Sequence, residues 1–395
     1  MKKLCFLILL IGSWNQLPAQ DQIENLLLEI EQNNTVLAAF IQQAEADKIG
    51  NRTGIYLENP EVEVHYLWGN KEGETQTEFS IVQPFDFPTV YYHKQKLADE
   101  KNKQEDLKFR IKRAEILLEA KQICIELIYL KELSDKMEEQ LKQGEQCVSA
   151  YRKKLDQGEI SILDYNKAEL NWLNNRQRMD ELQLDRERLQ SDLIRLNGGK
   201  PVDYTSPEYP LVSLSPDFDR WFEEIHENNR ILCSLQQEIK ISKMNEKVQR
   251  SSNLPSFSLG YMSEKGLEEH FQGPVLSISV PLWQNKNTVK QIKSQTRAFQ
   301  AAKEDASIRF YNEVKYKYQQ ALQLKKMAET YGETFQTVDN AAFLKKALDK
   351  GEISLTNYLI ELSVYYESIE NFLKIKRNFH LVVSELQQWE DSGFN

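Results

Sequence analysis

The feature that most constrains this chain is that it contains itself twice. Gln32-Asn33-Asn34 with Leu37 and Gln42 aligns with Glu227-Asn228-Asn229, Leu232 and Gln237. Pro60-Glu61-Val62-Glu63-Val64-His65-Tyr66 aligns with Pro255-Ser256-Phe257-Ser258-Leu259-Gly260-Tyr261, and Phe79-Ser80-Ile81-Val82-Gln83-Pro84 with Leu276-Ser277-Ile278-Ser279-Val280-Pro281. The nearest match is Leu155-Asp156-Gln157-Gly158-Glu159-Ile160-Ser161, which returns as Leu348-Asp349-Lys350-Gly351-Glu352-Ile353-Ser354, with Tyr165 answered by Tyr358. The offset stays between 193 and 197 residues and the matches keep their order, so the chain is a duplicated unit.

Both units predict the same series of elements. A helix (21–57 and 217–252) leads to two short strands (60–68 with 75–84, then 255–263 with 274–283). A very long helix follows (88–157 and 286–350), then a tight turn and a shorter helix (162–197 and 355–391). Apolar residues three or four apart carry the helices: Leu355, Leu359, Leu362, Tyr366, Ile369, Leu373, Val383 and Leu386 in the last one. In the first long helix Leu107, Ile111, Ala114, Leu118, Ile125 and Ile128 do the same, continued by Leu130, Leu133, Met137 and Leu141. Ser215-Pro216 opens a helix and Asn197-Gly198-Gly199 closes one. The domain plan is a first repeat over 21–197, a Pro- and Gly-rich linker over 198–215, and a second repeat over 216–395.

The strands alternate. Val62, Val64, Tyr66 and Trp68 share one face, and Glu61, Glu63 and His65 the other. Phe257, Leu259 and Tyr261 oppose Ser256, Ser258 and Gly260, while Leu276, Ile278, Val280 and Leu282 oppose Ser277 and Ser279. About nine or ten residues is the length of a tilted membrane strand, and Trp68, Phe85, Phe87 and Trp283 stand at strand ends where interfacial aromatics belong. A soluble antiparallel sheet with one wet face alternates in the same way.

The start of the chain points to export, which without a membrane helix leaves a periplasmic, secreted or β-barrel protein. Lys2 and Lys3, the short apolar run Leu4 to Ile11 and Leu17-Pro18-Ala19-Gln20 read as an export signal over 1–20. Cys5 lies inside the apolar run, too early for a lipid anchor. No later run approaches the ~20 apolar residues of a membrane helix. Cys124, Cys147 and Cys233 are widely spaced and read as buried apolar side chains, not as a disulfide framework. The net charge of −10 gives no footprint for nucleic acid.

The long helices predict a span of about 100 Å at 1.5 Å per residue, and the shorter ones about 54 Å, so two short helices end to end match one long helix. A cylinder can be built this way, with the strands at one end and the turns at Gly158 and Gly351 together at the other. Four strands cannot close a membrane barrel and open edges cannot face lipid, so subunits must pool strands, eight from two copies or twelve from three.

The duplicated helix, two-strand, long-helix, turn, helix unit resembles the TolC-like outer-membrane efflux proteins over essentially the whole chain that follows the signal. Gln83-Pro84-Phe85-Asp86-Phe87-Pro88 and the two Gly-Glu-Ile-Ser turns are similar to the cation-efflux (CzcC/CusC-like) branch. The fold class this implies is mainly α with a small β part: a homotrimer forming a twelve-stranded outer-membrane β-barrel on a periplasmic α-helical barrel. It implies a passive, gated conduit of a tripartite efflux system that exports metal cations or small toxic compounds, partnered by a periplasmic adaptor, an inner-membrane pump and outer-membrane lipid. Gly158, Glu159, Ile160, Ser161, Gly351, Glu352, Ile353 and Ser354 map to its adaptor-docking tip turns, Asp164 and Asn357 to its aperture. Glu61, Glu63 and His65 become lumen-facing. The sequence departs from the family at Asn357, where an aperture acid would stand, and at Asn33-Asn34, where the family has Asn-Pro. A type I protein-secretion channel and a periplasmic helical adaptor or scaffold are the alternative readings.

No catalytic chemistry is indicated. His65, His93, His226, His270 and His380 are isolated, none with the i, i+4 spacing of a helical metal pair. Neither a phosphate loop nor a nucleophile elbow is present, so no enzyme activity and no cofactor are expected.

Overall fold

The computed structural model describes residues 19–71, 73–202, 204, 208–266, 268–337 and 340–390. The expected export signal falls largely on 1–18, outside the described residues. The first repeat runs α1 (Ala19–Asn33), α2 (Thr35–Gly50), β1 (Glu61–Trp68), β2 (Thr75–Phe85), α3 (Pro88–Asp156) and α4 (Ile162–Leu196). The second runs α5 (Phe218–Glu227), α6 (Arg230–Ser251), β3 (Ser256–Lys265), β4 (His270–Ser279), α7 (Thr288–Thr337), α8 (Asn340–Asp349) and α9 (Leu355–Gln387).

Four expectations need correction. The single helices expected over 21–57 and 217–252 are each two, divided at Asn34 and at Asn228-Asn229. An asparagine side chain competes with the helical backbone for hydrogen bonds. Asn229 Oδ1 caps α6 by accepting from the Leu232 amide at 2.9 Å. Asn34 turns its amide outward from its own helix, donating to the Leu196 carbonyl at 2.7 Å. The helix expected to reach 57 stops at Gly50, followed by a turn in which Gly54 takes φ +69. The long helix expected over 286–350 is described as α7 from Thr288 and α8 to Asp349, with 338–339 between them outside the described residues. The last strand lies at 270–279, not 274–283, because Lys265 pairs directly with His270 around a tight hairpin that Gly266 closes by donating to the Glu269 carbonyl at 2.9 Å. The final helix ends at Gln387, short of 391.

The chain divides into two compact units, and α3 runs unbroken for 69 residues, about 100 Å, contributing to both. Among the described residues one unit takes 19–35, 115–216 and 316–388. Here α3 is buried on all sides through Ile123, Cys124, Ile125, Leu127, Ile128, Tyr129 and Leu130, as a helix apolar all round must be. Leu193 and Leu196 of α4 and Val383 and Leu386 of α9 are buried in the same unit. Desolvation raises the Cys124 thiol to about 12, so it is an inert apolar side chain.

The start of this unit is tied to its middle by amides. Asn33 Nδ2 donates to Asn197 Oδ1 at 3.0 Å, and Asn197 Nδ2 to Glu29 Oε1 at 2.8 Å. Lys200 Nζ reaches Asn33 Oδ1 at 2.6 Å. Asn197 is fully buried, so these bonds satisfy groups that would otherwise be costly.

The other unit takes 36–114, 217–315 and 389–395. It holds a helical part, with Leu37, Val90, Ala98, Leu232, Ile239, Val248 and Val314 buried, and the only sheet among the described residues. The sheet is antiparallel throughout, in the order β1-β2-β3-β4, so β1 and β4 are its edges.

Two neighbouring glycines test the amide tie. Gly198 and Gly199 both have positive φ, +67 and +82. A Cβ at Gly198 would lie 2.2 Å from the Asn33 carbonyl oxygen, whereas one at Gly199 meets nothing within 4 Å. Gly199→Ala is expected to cost only the left-handed backbone, about 1 kcal/mol, and Gly198→Ala at least ~3 kcal/mol, because the α1 end must move. Thermal unfolding followed by circular dichroism checks the difference.

Candidate functional site

Two surfaces carry the residues that the sequence singles out. The first is the sheet. Strand register places Val62, Val64, Tyr66 and Trp68 of β1 level with Ile81, Phe79, Thr77 and Thr75 of β2. From β2 the same face continues through Phe85, Gln83 and Ile81 to Phe257, Leu259 and Tyr261 of β3, and then to Ile278, Leu276 and Pro274 of β4. This apolar face lies open: Val64 is 63 % exposed, Trp68 79 % and Leu276 67 %.

Glu61, Glu63 and His65 lie on the opposite face, level with Val82, Ser80 and Glu78. His65 Nδ1 stands 3.3 Å from Glu78 Oε2. Glu78 pairs directly across β2 and β3 with Glu264, and the Gln76 amide donates to both carboxylates. The sequence reading missed Glu78, Glu264 and Gln76. Their alternation was visible, but only the register reveals that two like charges stand opposite each other and need an amide between them.

The second surface is the pair of Gly-Glu-Ile-Ser turns. Gly158 takes φ +73 and Gly351 φ +74, the left-handed conformation that glycine adopts without strain. Gly158 N donates to Leu155 O at 2.9 Å and Glu159 N to Lys154 O at 2.9 Å. Gly351 N donates to Leu348 O at 3.0 Å and Glu352 N to Ala347 O at 2.9 Å. Both are Schellman closures, which satisfy the last helical carbonyls.

Ser161 and Ser354 then open α4 and α9. Each hydroxyl accepts at 3.2 Å from an amide three residues on, that of Asp164 or of Asn357. Asp164 and Asn357 therefore occupy the same position of two helix starts, and Asp164 also accepts from the Ser161 hydroxyl at 3.0 Å. Glu159 and Glu352 are exposed.

One apolar cluster joins the two turns. Tyr151, Tyr165, Ala168, Ala341, Leu355, Tyr358 and Leu362 form it, with Ile160, Ile353 and Cys147 against it. Burial raises the Cys147 thiol to about 11 and the Tyr358 phenol to about 12, so neither ionises at neutral pH. Polar bonds cross between the repeats at the rim: Lys167 to Thr356 at 3.2 Å, Lys345 to Gln146 at 2.6 Å, and Tyr366 to Gln143 at 3.2 Å. Further along, Arg178 meets Glu370 at 2.5 Å. These cross-repeat partners gave no sequence signal, because they lie on different helices. Ile162, Leu163, Phe343 and Ile360 remain exposed.

Among the described residues no three His, Cys, Asp or Glu side chains come together as a metal site, and no helix is long and apolar enough to cross a membrane.

No family model matches the sequence, and no curated protein matches it; the likeness to known proteins is one of structure. The chain superposes on CusC, from a study of folding and transmembrane channel formation, with TM-score 0.77 over 93 % of this chain and 92 % of that one. This is the TolC-like outer-membrane channel fold. The Campylobacter jejuni CmeC outer membrane channel matches with TM-score 0.74 over 95 % of this chain and 86 % of its own. The open state of the Neisseria gonorrhoeae MtrE outer membrane channel matches with TM-score 0.75 over 93 % and 88 %. Identities of 14 %, 15 % and 14 % show that the architecture is shared where little of the sequence is.

The twin turns make a paired prediction. Nothing lies within 4 Å of a Cβ built at either Gly158 or Gly351, so alanine there meets strain without a clash. Gly158→Ala and Gly351→Ala should each lower stability by about 1 kcal/mol. Because one cluster joins the turns, the double variant should lose more than the two single losses combined. Chemical denaturation of all four proteins reads this.

Proposed function

We propose that this protein is an outer-membrane channel of a tripartite efflux system, acting as a passive, gated conduit and not as a catalyst. The observation that carries the reading is the sheet, whose strands of 8 to 11 residues have one apolar face and one polar face, both open, with two unpaired edges. Water tolerates bare strand edges, but an apolar face of this extent belongs in lipid, where each unpaired backbone group costs several kcal/mol. Pairing β1 of one copy with β4 of the next removes the edges, and three sheets of this kind make a twelve-stranded barrel with the apolar face outward. The full-length fold match supports the same assembly.

The polar face then lines the lumen. It carries Glu61, Glu63, Glu78 and Glu264 and, within the strands, neither Lys nor Arg. A wall whose carboxylates have no Lys or Arg beside them on the same face of the strands raises the local concentration of cations. This favours positively charged cargo, metal cations or small toxic cationic compounds. The joined turns supply the adaptor-docking surface, where Glu159 and Glu352 are exposed beside apolar Ile162 and Phe343. Breaking the Lys167–Thr356 and Lys345–Gln146 bonds would let the two repeats part there, which is the opening step of the gate.

Outer-membrane fractions tested by light scattering of the detergent-solubilised protein should show a particle of three chains. A soluble monomer in the periplasm would overturn the reading. The faces can be tested separately, since Val64 and His65 are neighbours at mid-strand on opposite sides. Folding into lipid vesicles should be weakened by about 2–4 kcal/mol in Val64→Lys and hardly at all in His65→Lys. In planar bilayers the channel should pass cations in preference to anions, and Glu63→Gln with Glu78→Gln should reduce that preference, most visibly at low salt.

A further inference from the structure

Midway along the linker between the repeats, Tyr209 packs on α9. The Tyr209 ring lies flat on the imidazole of His380 in α9, centroids 4.2 Å apart and planes 6° apart. Phe379 meets the same imidazole edge-on at 5.2 Å. The Lys376 ammonium sits 5.2 Å from the Tyr209 ring centre and is held at 2.6 Å by Glu132 of α3. Three buried polar atoms in this small space have no hydrogen-bond partner: the Tyr209 hydroxyl, His380 Nδ1 and Glu132 Oε2.

We propose that this stack is a clasp released by protons: the linker is held on α9 while His380 is neutral and lets go when His380 is protonated. A neutral imidazole tolerates an apolar, stacked site, but an imidazolium there has lost its water and found no acceptor for Nδ1. The Tyr209 ring that could soften the charge already has the Lys376 ammonium 5.2 Å from its centre. Burial, with the Lys376 charge adding to it, lowers the His380 pKa to about 4.

The other charges around the clasp are engaged. From α3, Glu126 is met at 3.5 Å by Arg377, which also covers the Tyr129 ring at 4.6 Å, and Glu132 is held by Lys376. From α7, Lys317 is held by Glu385 at 3.0 Å. Burial and the carboxylates of Glu132 and Glu126 push the Tyr209 phenol upward, so it stays neutral.

The sign follows from linkage. The released imidazole titrates near the ordinary histidine value of about 6.5, the clasped one near 4, so the open form binds more protons between those values. The opening constant is flat above pH 6.5, rises as pH falls toward 4 and levels off below that, a total of roughly 300-fold.

Hydroxyl-radical footprinting of the detergent-solubilised full chain reads the release. Oxidation of Tyr209 should climb between pH 6.5 and 4 in the wild type, while buried Tyr129 and Tyr318 stay protected and report an intact fold. His380→Phe keeps a flat ring under Tyr209 but cannot be charged, so its Tyr209 oxidation should not change with pH. A flat wild-type profile, or one that His380→Phe reproduces, overturns the clasp. Histidine ring NMR supplies a readout that needs no His380 variant. His380 should titrate well below 6 in the wild type and shift upward in Tyr209→Ala; titration at an ordinary value in the wild type overturns the proposal.

Discussion

Backbone hydrogen bonding at a strand edge is the constraint on which most of this structure depends. A helix satisfies its own amides, so α3 can run for 69 residues with few demands on its neighbours. A four-stranded sheet cannot do the same, because β1 and β4 each leave one row of donors and acceptors unpaired. With Val62, Val64, Leu259 and Leu276 open on one face, those edges stand beside apolar surface, and if that face lay in lipid no water would compensate them. On the proposed reading the chain is therefore incomplete as a single copy, and its duplication, its strand lengths and its alternating faces would serve a closed wall that one chain cannot build.

The helical part solves a different problem, that of holding long elements in register. Amides do this at the junction of α1, α4 and the linker, where Asn33, Asn34 and Asn197 answer one another, and Gly198 lets two backbones come within contact. Apolar packing does it at the turns, where Tyr165 and Tyr358, equivalent by duplication, are buried in one cluster. The two devices differ in tolerance. A cluster of aliphatic and aromatic side chains accepts a change of shape better than a buried amide accepts the loss of its partner.

Much of this was legible in the sequence. Periodicity located the long helices within a residue or two, because Ile125, Ile128, Leu133 and Met137 repeat at helical spacing over a stretch too long to be accidental. The Gly-Glu-Ile-Ser turns were legible because a left-handed glycine and a serine cap are both local devices. What escaped depends on partners remote in the chain. The breaks at Asn34 and Asn228-Asn229 lie inside strongly periodic stretches, and only the Leu196 carbonyl, 162 residues away, explains what Asn34 does. The bounds of β4 were misplaced by four residues, since an apolar alternation running through Val280 and Leu282 does not show where pairing stops. The opposition of Glu78 and Glu264 is likewise invisible until two strands from different repeats lie side by side.

The two helix starts after the turns share a serine cap and differ in charge three residues on. Asp164 and Asn357 each donate their backbone amide to the capping hydroxyl at 3.2 Å, yet one side chain is a carboxylate and the other a neutral amide. In a ring of three chains, six places would be alike in shape and would alternate in charge. A partner built of six identical arms would thus find two classes of seat and would be forced to pair its arms. A partner of three arms would meet no ambiguity. In such a ring duplication would supply the geometry of a hexagon, and the difference between Asp164 and Asn357 would give it the electrostatics of a triangle.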